Sequence, residues 1–516
     1  MTNALTRPVA VFLAGVAGLA LVAPATAETL REAMVKAYTT NPTLTAQRAT
    51  LRATDENVPI ARASSLPALT ANGAFTENLV VAGNSVFNPA RQATANTQLS
   101  IPLYQGGGVK NQIAAARTRV EGGRATLRST EADLFTNVVA AYMDVIRDEA
   151  IVGLNTQNVR VLDVNLRASS DRFQVGDLTR TDVAQSEARL ALARAQLQSA
   201  QAQLISSREN YIRVVGDEPQ SLVEPPVLPN LPAASDTVVA VALQNNPALL
   251  AAAKERDASR YDVGVARATR LPRLSAVAGG SYYNYLNSLG AAGSLVGGIP
   301  LSGTAAQAGL QLSVPLFQGG RPAAQVRQAE ALQSRAIEQV TLAERGVIAQ
   351  ARSAYAVWRS AEQVIASSEI AVNANKLSLE GVRAENSVGT RTILDILNAE
   401  QELLNSQVTL VTARRDAYVA GFALLAAMGR AEARNLGLDG GALYDPVANY
   451  DRVRNRINDF DSDGEPAPVA TSTANSRAQT AAVRPTSDPM LDSSVDRNAA
   501  ITTGADSPNR GGAPVR

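Results

Sequence analysis

Between Ala93 and Leu103 the chain alternates. Ala93, Ala95, Thr97, Leu99, Ile101 and Leu103 fall on one face, and Thr94, Asn96, Gln98 and Ser100 on the other. A period of two predicts a strand with one apolar face. Residues 304–316 repeat the pattern, with Ala306, Ala308, Leu310, Leu312, Val314 and Leu316 opposite Gln307, Gly309, Gln311 and Ser313. The weaker alternation at about 66–80 and 271–287 supplies hairpin partners. The segments between, 81–92 and 288–303, are rich in Gly, Asn, Ala and Ser and read as exposed loops. Strands of this length can cross a bilayer when tilted.

The period then changes. From Gly107 to about Ser170, and from Arg321 to about Asn386, the chain is built of Ala, Arg, Gln, Glu and Leu with no proline after the first turn, which predicts helix. Leu127, Leu134, Val138, Val145 and Val152 step by 7, 4, 7 and 7, a spacing that implies a coiled-coil seam. At 1.5 Å per residue such a helix is on the order of 100 Å long. Shorter Ala-rich helices return at about 179–214 and 392–427.

The sequence is written twice. Asn41-Pro42 recurs 205 positions later as Asn246-Pro247, and Pro67 as Pro272. Ser100-Ile101-Pro102-Leu103-Tyr104-Gln105-Gly106-Gly107 recurs 213 positions later as Ser313-Val314-Pro315-Leu316-Phe317-Gln318-Gly319-Gly320, with Gly176 matching Gly389 and Gly216 matching Gly429. A single lengthened loop in the second copy accounts for both offsets, so the chain is a tandem duplication.

Its ends differ from its middle. Arg7, the apolar run Val9 to Val22 and Ala25-Thr26-Ala27 read as a signal peptide over 1–27, so the mature chain is exported. The first repeat then spans 28–216, a proline-rich linker 217–236, the second repeat 237–430 and a C-terminal segment 431–457. From 458 to 516 the Ser/Thr/Ala/Pro/Asp-rich composition predicts a disordered tail.

Composition narrows the chemistry. There is no Cys and no His, which closes zinc, haem, thiol and imidazole mechanisms. Lys and Arg number 48 against 47 Asp and Glu, so nucleic acid, which demands a basic excess, is not an expected partner. No cofactor or metal is implied.

Four strands cannot close a barrel, and lipid tolerates no unpaired edge. The expected fold is therefore mostly α with a β-barrel part. A homotrimer would join twelve strands into an outer-membrane barrel, continued by a twelve-helix barrel in the periplasm.

Val388-Gly389-Thr390-Arg391-Thr392-Ile393-Leu394-Asp395-Ile396-Leu397-Asn398-Ala399-Glu400 and its counterpart Val175-Gly176-Asp177-Leu178-Thr179-Arg180-Thr181-Asp182-Val183, together with both Pro-Leu-aromatic-Gln-Gly-Gly turns, resemble the TolC family of outer-membrane efflux and secretion channels. The likeness covers about residues 28–435. It implies a passive exit duct, not an enzyme, seated in outer-membrane lipid. Its partners would be a periplasmic adaptor (membrane fusion) protein and an inner-membrane efflux or ABC-type transporter.

Carried over by motif, Asp395 would line the pore constriction, with Asn398 where the family has a second aspartate. Arg391 would form an entrance-closing link with Thr181 or Asp182, and Asn386 stands where a tyrosine is expected. Gly176 and Gly389 mark the inter-helix turns for adaptor docking. Pro102, Gly106, Gly107, Pro315, Gly319 and Gly320 shape the strand-to-helix bends. A plainer role for Asp182 and Asp395 is helix capping, since Thr179 and Thr392 precede them by three residues.

Other motifs are weaker. Gly106-Gly107-Gly108-Val109-Lys110 lacks the Ser or Thr of a phosphate loop. Asp459, Asp461 and Asp463 match only half of a calcium loop and read as a solvated acidic tail. The alternatives to a channel are a periplasmic adaptor, a coiled-coil adhesin without a pore and, more remotely, a carboxylate enzyme.

Overall fold

The computed structural model describes residues 27–80, 89–228, 231–232, 234–288, 300–438, 443–483 and 488–491. The signal peptide, apart from Ala27, and most of both hairpin loops lie outside the described residues. The first repeat contains α1 (Leu30–Thr40), α2 (Pro42–Asp55), α3 (Asn57–Ala63), β1 (Ala68–Glu77), β2 (Arg91–Tyr104), α4 (Gly108–Gln174) and α5 (Arg180–Val215). The second contains α6 (Ser235–Asn245), α7 (Pro247–Ala268), β3 (Arg273–Asn284), β4 (Ser302–Ser313), α8 (Arg321–Ser387) and α9 (Ile393–Ala427), and a short α10 (Ala448–Val453) follows.

Each repeat carries one helix of 67 residues, about 100 Å of rod. Both rods begin after a glycine pair at the strand-to-helix bend, Gly106-Gly107 and Gly319-Gly320, all four with positive φ. At Gly106 the demand is steric as well. A Cβ there would stand 2.8 Å from the Leu271 Cβ and 3.0 Å from the Ala268 carbonyl. Pro102 sits where the β2–β3 register shifts, and Pro315 lies two residues past the end of β4.

The strands form one antiparallel sheet in the order β1-β2-β3-β4. Register rows such as Leu69–Leu99–Ala278–Ala308 lie on one face, and rows such as Thr70–Gln98–Gly279–Gln307 on the other. Among the described residues nothing covers the apolar face, so Leu69, Phe75, Leu310 and Leu312 are exposed. A twelve-residue strand at about 3.4 Å per residue, tilted as barrel strands are, spans roughly the 30 Å hydrocarbon layer. Tyr283 lies over Gly303 and packs against Tyr285 with ring centroids 5.0 Å apart, while Tyr282 occupies the apolar face.

The main core lies midway along the rods. Leu30, Met34 and Tyr38 of α1 meet Phe135, Val138 and Tyr142 of α4, Leu204, Tyr211 and Val214 of α5, and Phe422 of α9. The heptad-spaced residues Leu127, Leu134, Val138, Val145 and Val152 are all buried in this cluster. They therefore face a multi-helix core, rather than a single partner helix. The duplicated Asn-Pro pairs have duplicated roles. Asn41 caps α2 through Thr43 N (2.9 Å) and donates to the Val214 carbonyl at the end of α5 (2.8 Å). Asn246 caps α7 through Ala248 N (3.0 Å) and donates to the Ala427 carbonyl at the end of α9 (3.0 Å).

The linker is structured at its start. Glu28 pairs with Leu222 as a parallel bridge, and the Tyr142 hydroxyl donates to the Val223 carbonyl at 2.6 Å. Burial pushes the Tyr142 phenol far above its ordinary range, keeping it a neutral donor.

The tail from 458 onward, expected from composition to be disordered, is described only over 458–483 and 488–491. Residues 458–483 and 488–491 have no helix or strand, yet several hydrogen-bond to the long helices, and Leu491 is only 4% exposed. Apolar composition does not register this seating, because polar side chains of the long helices, Arg208, Lys376 and Gln407, bind main-chain carbonyls of the tail and do much of the holding. The acidic motif is likewise neutralised. Asp463 accepts from Arg452 at 2.7 Å and Arg456 at 3.1 Å, which drives its carboxyl well below the usual range. Among the described residues no acidic cluster is arranged to hold a metal.

Candidate functional site

The two helix-to-helix turns share one construction. In the first, Gly176 N donates to the Phe173 carbonyl and Asp177 N to Arg172. In the second, Gly389 N donates to Asn386 and Thr390 N to Glu385. This bond pair, closed by a left-handed glycine, is the Schellman ending of a helix. A capping box then opens each returning helix. Asp182 Oδ2 accepts from Thr179 N (3.0 Å) and Oγ1 (2.7 Å), and Asp395 Oδ2 accepts from Thr392 N (3.0 Å) and Oγ1 (2.8 Å). The threonine hydroxyl and amide hold both carboxyls below the ordinary aspartate range. Asp182 and Asp395 are therefore surface-lying anions already committed to capping.

The turns differ in their side chains. Arg172 holds Asp177 at 2.7 Å in the first. In the second, Arg391 holds Glu385 at 2.7 Å, and Asn386 Nδ2 donates to the Arg391 carbonyl at 2.7 Å. Within the protomer Arg391 thus engages its own turn, not the Thr181 or Asp182 expected from motif, because Glu385, in the last turn of α8, is already in reach. The Arg391 charge is reinforced by Glu385, which raises its already high pKa.

The two hairpins are joined beside this turn. Ile393 and Leu397 of α9 pack on Leu162 of α4 and on Leu190 and Ala193 of α5. At the margin of that patch Arg189 Nη2 donates to Asn398 Oδ1 at 2.8 Å. Asn398 is thus a partner for a cation of the first repeat. Sequence reasoning passes over Arg189, which carries no local signal in an Ala/Arg-rich helix. Within the second hairpin, Val372 and Leu379 of α8 meet Ile396, Leu403 and Leu410 of α9, flanked by the ion pair of Arg383 with Glu400.

The site is thus an arrangement of fixed surface charges at the shared end of two rods about 100 Å long, whose other end is a four-stranded sheet with an apolar face. That combination is the architecture of an outer-membrane channel.

Comparison with known proteins agrees with it. The family model of the outer membrane efflux protein matches residues 33–217 and 238–430, and the chain belongs to that family. It is 34% identical over 432 residues to the outer membrane efflux protein BepC of Brucella suis, covering 84% of this chain and 92% of the relative. It is 26% identical over 464 residues to the outer membrane protein TolC of Escherichia coli, covering 87% and 93%. The crystal structure of the outer membrane protein VceC from Vibrio cholerae superposes with a TM-score of 0.65 at 22% identity, covering 78% of this chain and 96% of that one.

Proposed function

We propose that the protein is the trimeric, passive exit duct of a tripartite efflux pump or type I secretion system, docking at its helical end to a periplasmic adaptor and an inner-membrane transporter. The observation that carries this reading is the sheet order. β1 and β4 are the two outer strands of the four, each with one edge that no strand among the described residues pairs. Hydrocarbon does not tolerate such edges. Pairing β4 of one protomer with β1 of the next, three times, closes a barrel and aligns the six helical hairpins below it into a tube.

At the tube's far end threefold symmetry turns each side chain into a ring. Asp395 supplies three carboxylates around the opening, where they favour cations and disfavour anions. Asn398 adds no charge. Gly176 and Gly389 present the turns that an adaptor meets. Arg391, Asn386, Thr181 and Asp182 border the entrance, where Arg391 can exchange Glu385 for a group on a neighbouring hairpin when the hairpins shift between two packings. The supply of energy belongs to the inner-membrane partner.

The test is purification from the outer-membrane fraction in detergent, with the mass measured by light scattering and currents recorded in planar bilayers. The mass of three chains and stepwise cation-selective currents are expected. A monomer that gives no current would overturn the reading.

A further inference from the structure

The chain beyond α10 follows a path along the long helices. Thr471 Oγ1 lies beside Gly216, next to the end of α5. Further on, Arg477 N donates to Glu218 at 2.7 Å and Gln479 N to Glu209 at 3.2 Å. Arg208 of α5 donates to the carbonyls of Thr480 and Ala482 while holding Glu149 of α4 at 2.5 Å. Ala481 and Val483 pack against the main core. The segment then engages the second repeat. Asp488 accepts from Arg414 of α9 at 2.6 Å, Lys376 of α8 donates to the Pro489 carbonyl at 2.7 Å, and Gln407 of α9 donates to Met490 at 3.3 Å. Leu491, the last described residue of this path, is buried between Leu154 of α4 and Leu404 and Val411 of α9.

We propose that residues 471–483 and 488–491 act as an intramolecular strap that ties the second-repeat hairpin to the first and restrains their separation. Its contacts pass from Gly216 and Glu218, just beyond α5, back to Glu209 and Arg208 within it, and on α9 from 414 back to 404, so it advances along the rods toward their tips. It touches all four long helices, and its last residue is wedged across the α4–α9 seam. Any movement that parts α9 from α4 must either pull Leu491 away from Leu154 of α4 or release the tail from α9, where Leu404, Val411 and the Arg414–Asp488 pair hold it. The strap therefore favours the closed arrangement by the free energy of those contacts, and a ligand that binds the parted arrangement must displace it. The seat of the strap is independent of the duct reading, whereas its consequence for conduction rests on it.

The absence of native cysteine makes a direct test clean. In the full chain carrying Leu491→Cys and Leu404→Cys, oxidation should form a disulfide between the tail and α9, visible as an altered gel mobility and a cross-linked peptide by mass spectrometry. Each single variant should show none. A folded double variant that does not cross-link would overturn the strap.

The second measurement compares the single-channel behaviour of the full chain, of Asp488→Ala with Leu491→Asp, and of a chain ending at Ala470. The expected outcome is an open probability higher by about fivefold or more when the strap is released, and a lowered one in the oxidised double-cysteine protein that reductant restores. Heat-resistant trimers in detergent certify that the variants fold. Unchanged gating in folded, strap-released protein would overturn the restraint. If no protein conducts, the full chain included, the duct reading fails, and the cross-link still decides whether the strap is seated.

Discussion

Arg189 of α5 donates to Asn398 of α9 across 2.8 Å, a contact between residues 209 positions apart that joins the two repeats near their tips. Arg189→Ala removes this link while leaving the apolar patch of Leu162, Leu190 and Leu397 in place. The variant is expected to keep its heat-resistant trimer and to show a larger single-channel conductance. Asn398→Asp instead turns the link into an ion pair and adds three carboxylates to the trimer. It should raise cation over anion selectivity, measured as a reversal-potential shift in a salt gradient.

Asp395 sets the charge at the proposed constriction. Its carboxyl lies below the ordinary range because Thr392 donates to it through both Oγ1 and N. Free aspartate titrates at about 3.9, so the ring should stay charged as pH falls from 7 through that value. Cation selectivity is expected to hold over that interval and to fade only in stronger acid. The capping contribution follows the same sign: it is fully present above the unfolded-state pKa and is lost as pH drops through the lower folded value. Asp395→Asn should abolish the pH dependence and reduce selectivity wherever the Asp395 ring is charged.

Asn41 and Asn246 each cap one helix and bind the final turn of another, and both are buried. Replacing either with Ala removes a cap and leaves a carbonyl, of Val214 or Ala427, without that partner. Each change should cost about 2 kcal/mol, read as a lower thermal midpoint by circular dichroism. The two sites are in separate repeats, so the costs should add within experimental error.

Gly389 and Gly429 both have positive φ, 83° and 70°, but their surroundings differ. A Cβ on Gly389 meets nothing within 4 Å, whereas one on Gly429 would stand 2.4 Å from the Asn245 carbonyl oxygen. Gly389→Ala should cost about 1–2 kcal/mol and preserve the trimer. Gly429→Ala must also move the α6–α7 corner, and greatly reduced yield of folded trimer is expected in outer-membrane fractions.

Leu310 lies on the apolar face of β4, 70% exposed in the protomer. Leu310→Arg places a charge against lipid and should cost about 2–4 kcal/mol if the site is near the midplane. Gln307→Arg, on the opposite face, should be tolerated and shift ion selectivity instead. Equal effects on insertion would show that the faces are not divided between lipid and lumen.

Much of the architecture is legible before any coordinates. Alternation marks the strands because one face of a sheet must meet lipid or core, and the long proline-free stretches give the rods. The matched offsets of Asn41 with Asn246 and Gly176 with Gly389 declare the duplication. Thr179 with Asp182 and Thr392 with Asp395 announce their capping boxes, because a cap is settled within four residues of chain. These are all local or periodic properties, which the order of residues by itself determines.

What required the tertiary structure are contacts between distant segments, which no local pattern encodes. The heptad-like residues from Leu127 to Val152 signal a buried stripe, but only packing shows that α1, α5 and α9 converge on it. Arg391 is drawn to Glu385 by proximity in its own turn, a choice that motif transfer does not reveal. Arg189 meets Asn398, and Leu491 enters the α4–α9 seam, because folding brings together residues 209 and more than 300 positions apart. Composition foretells neither. The sequence determined which elements form and that they form twice; the tertiary structure decided which charges meet and where the tail is held.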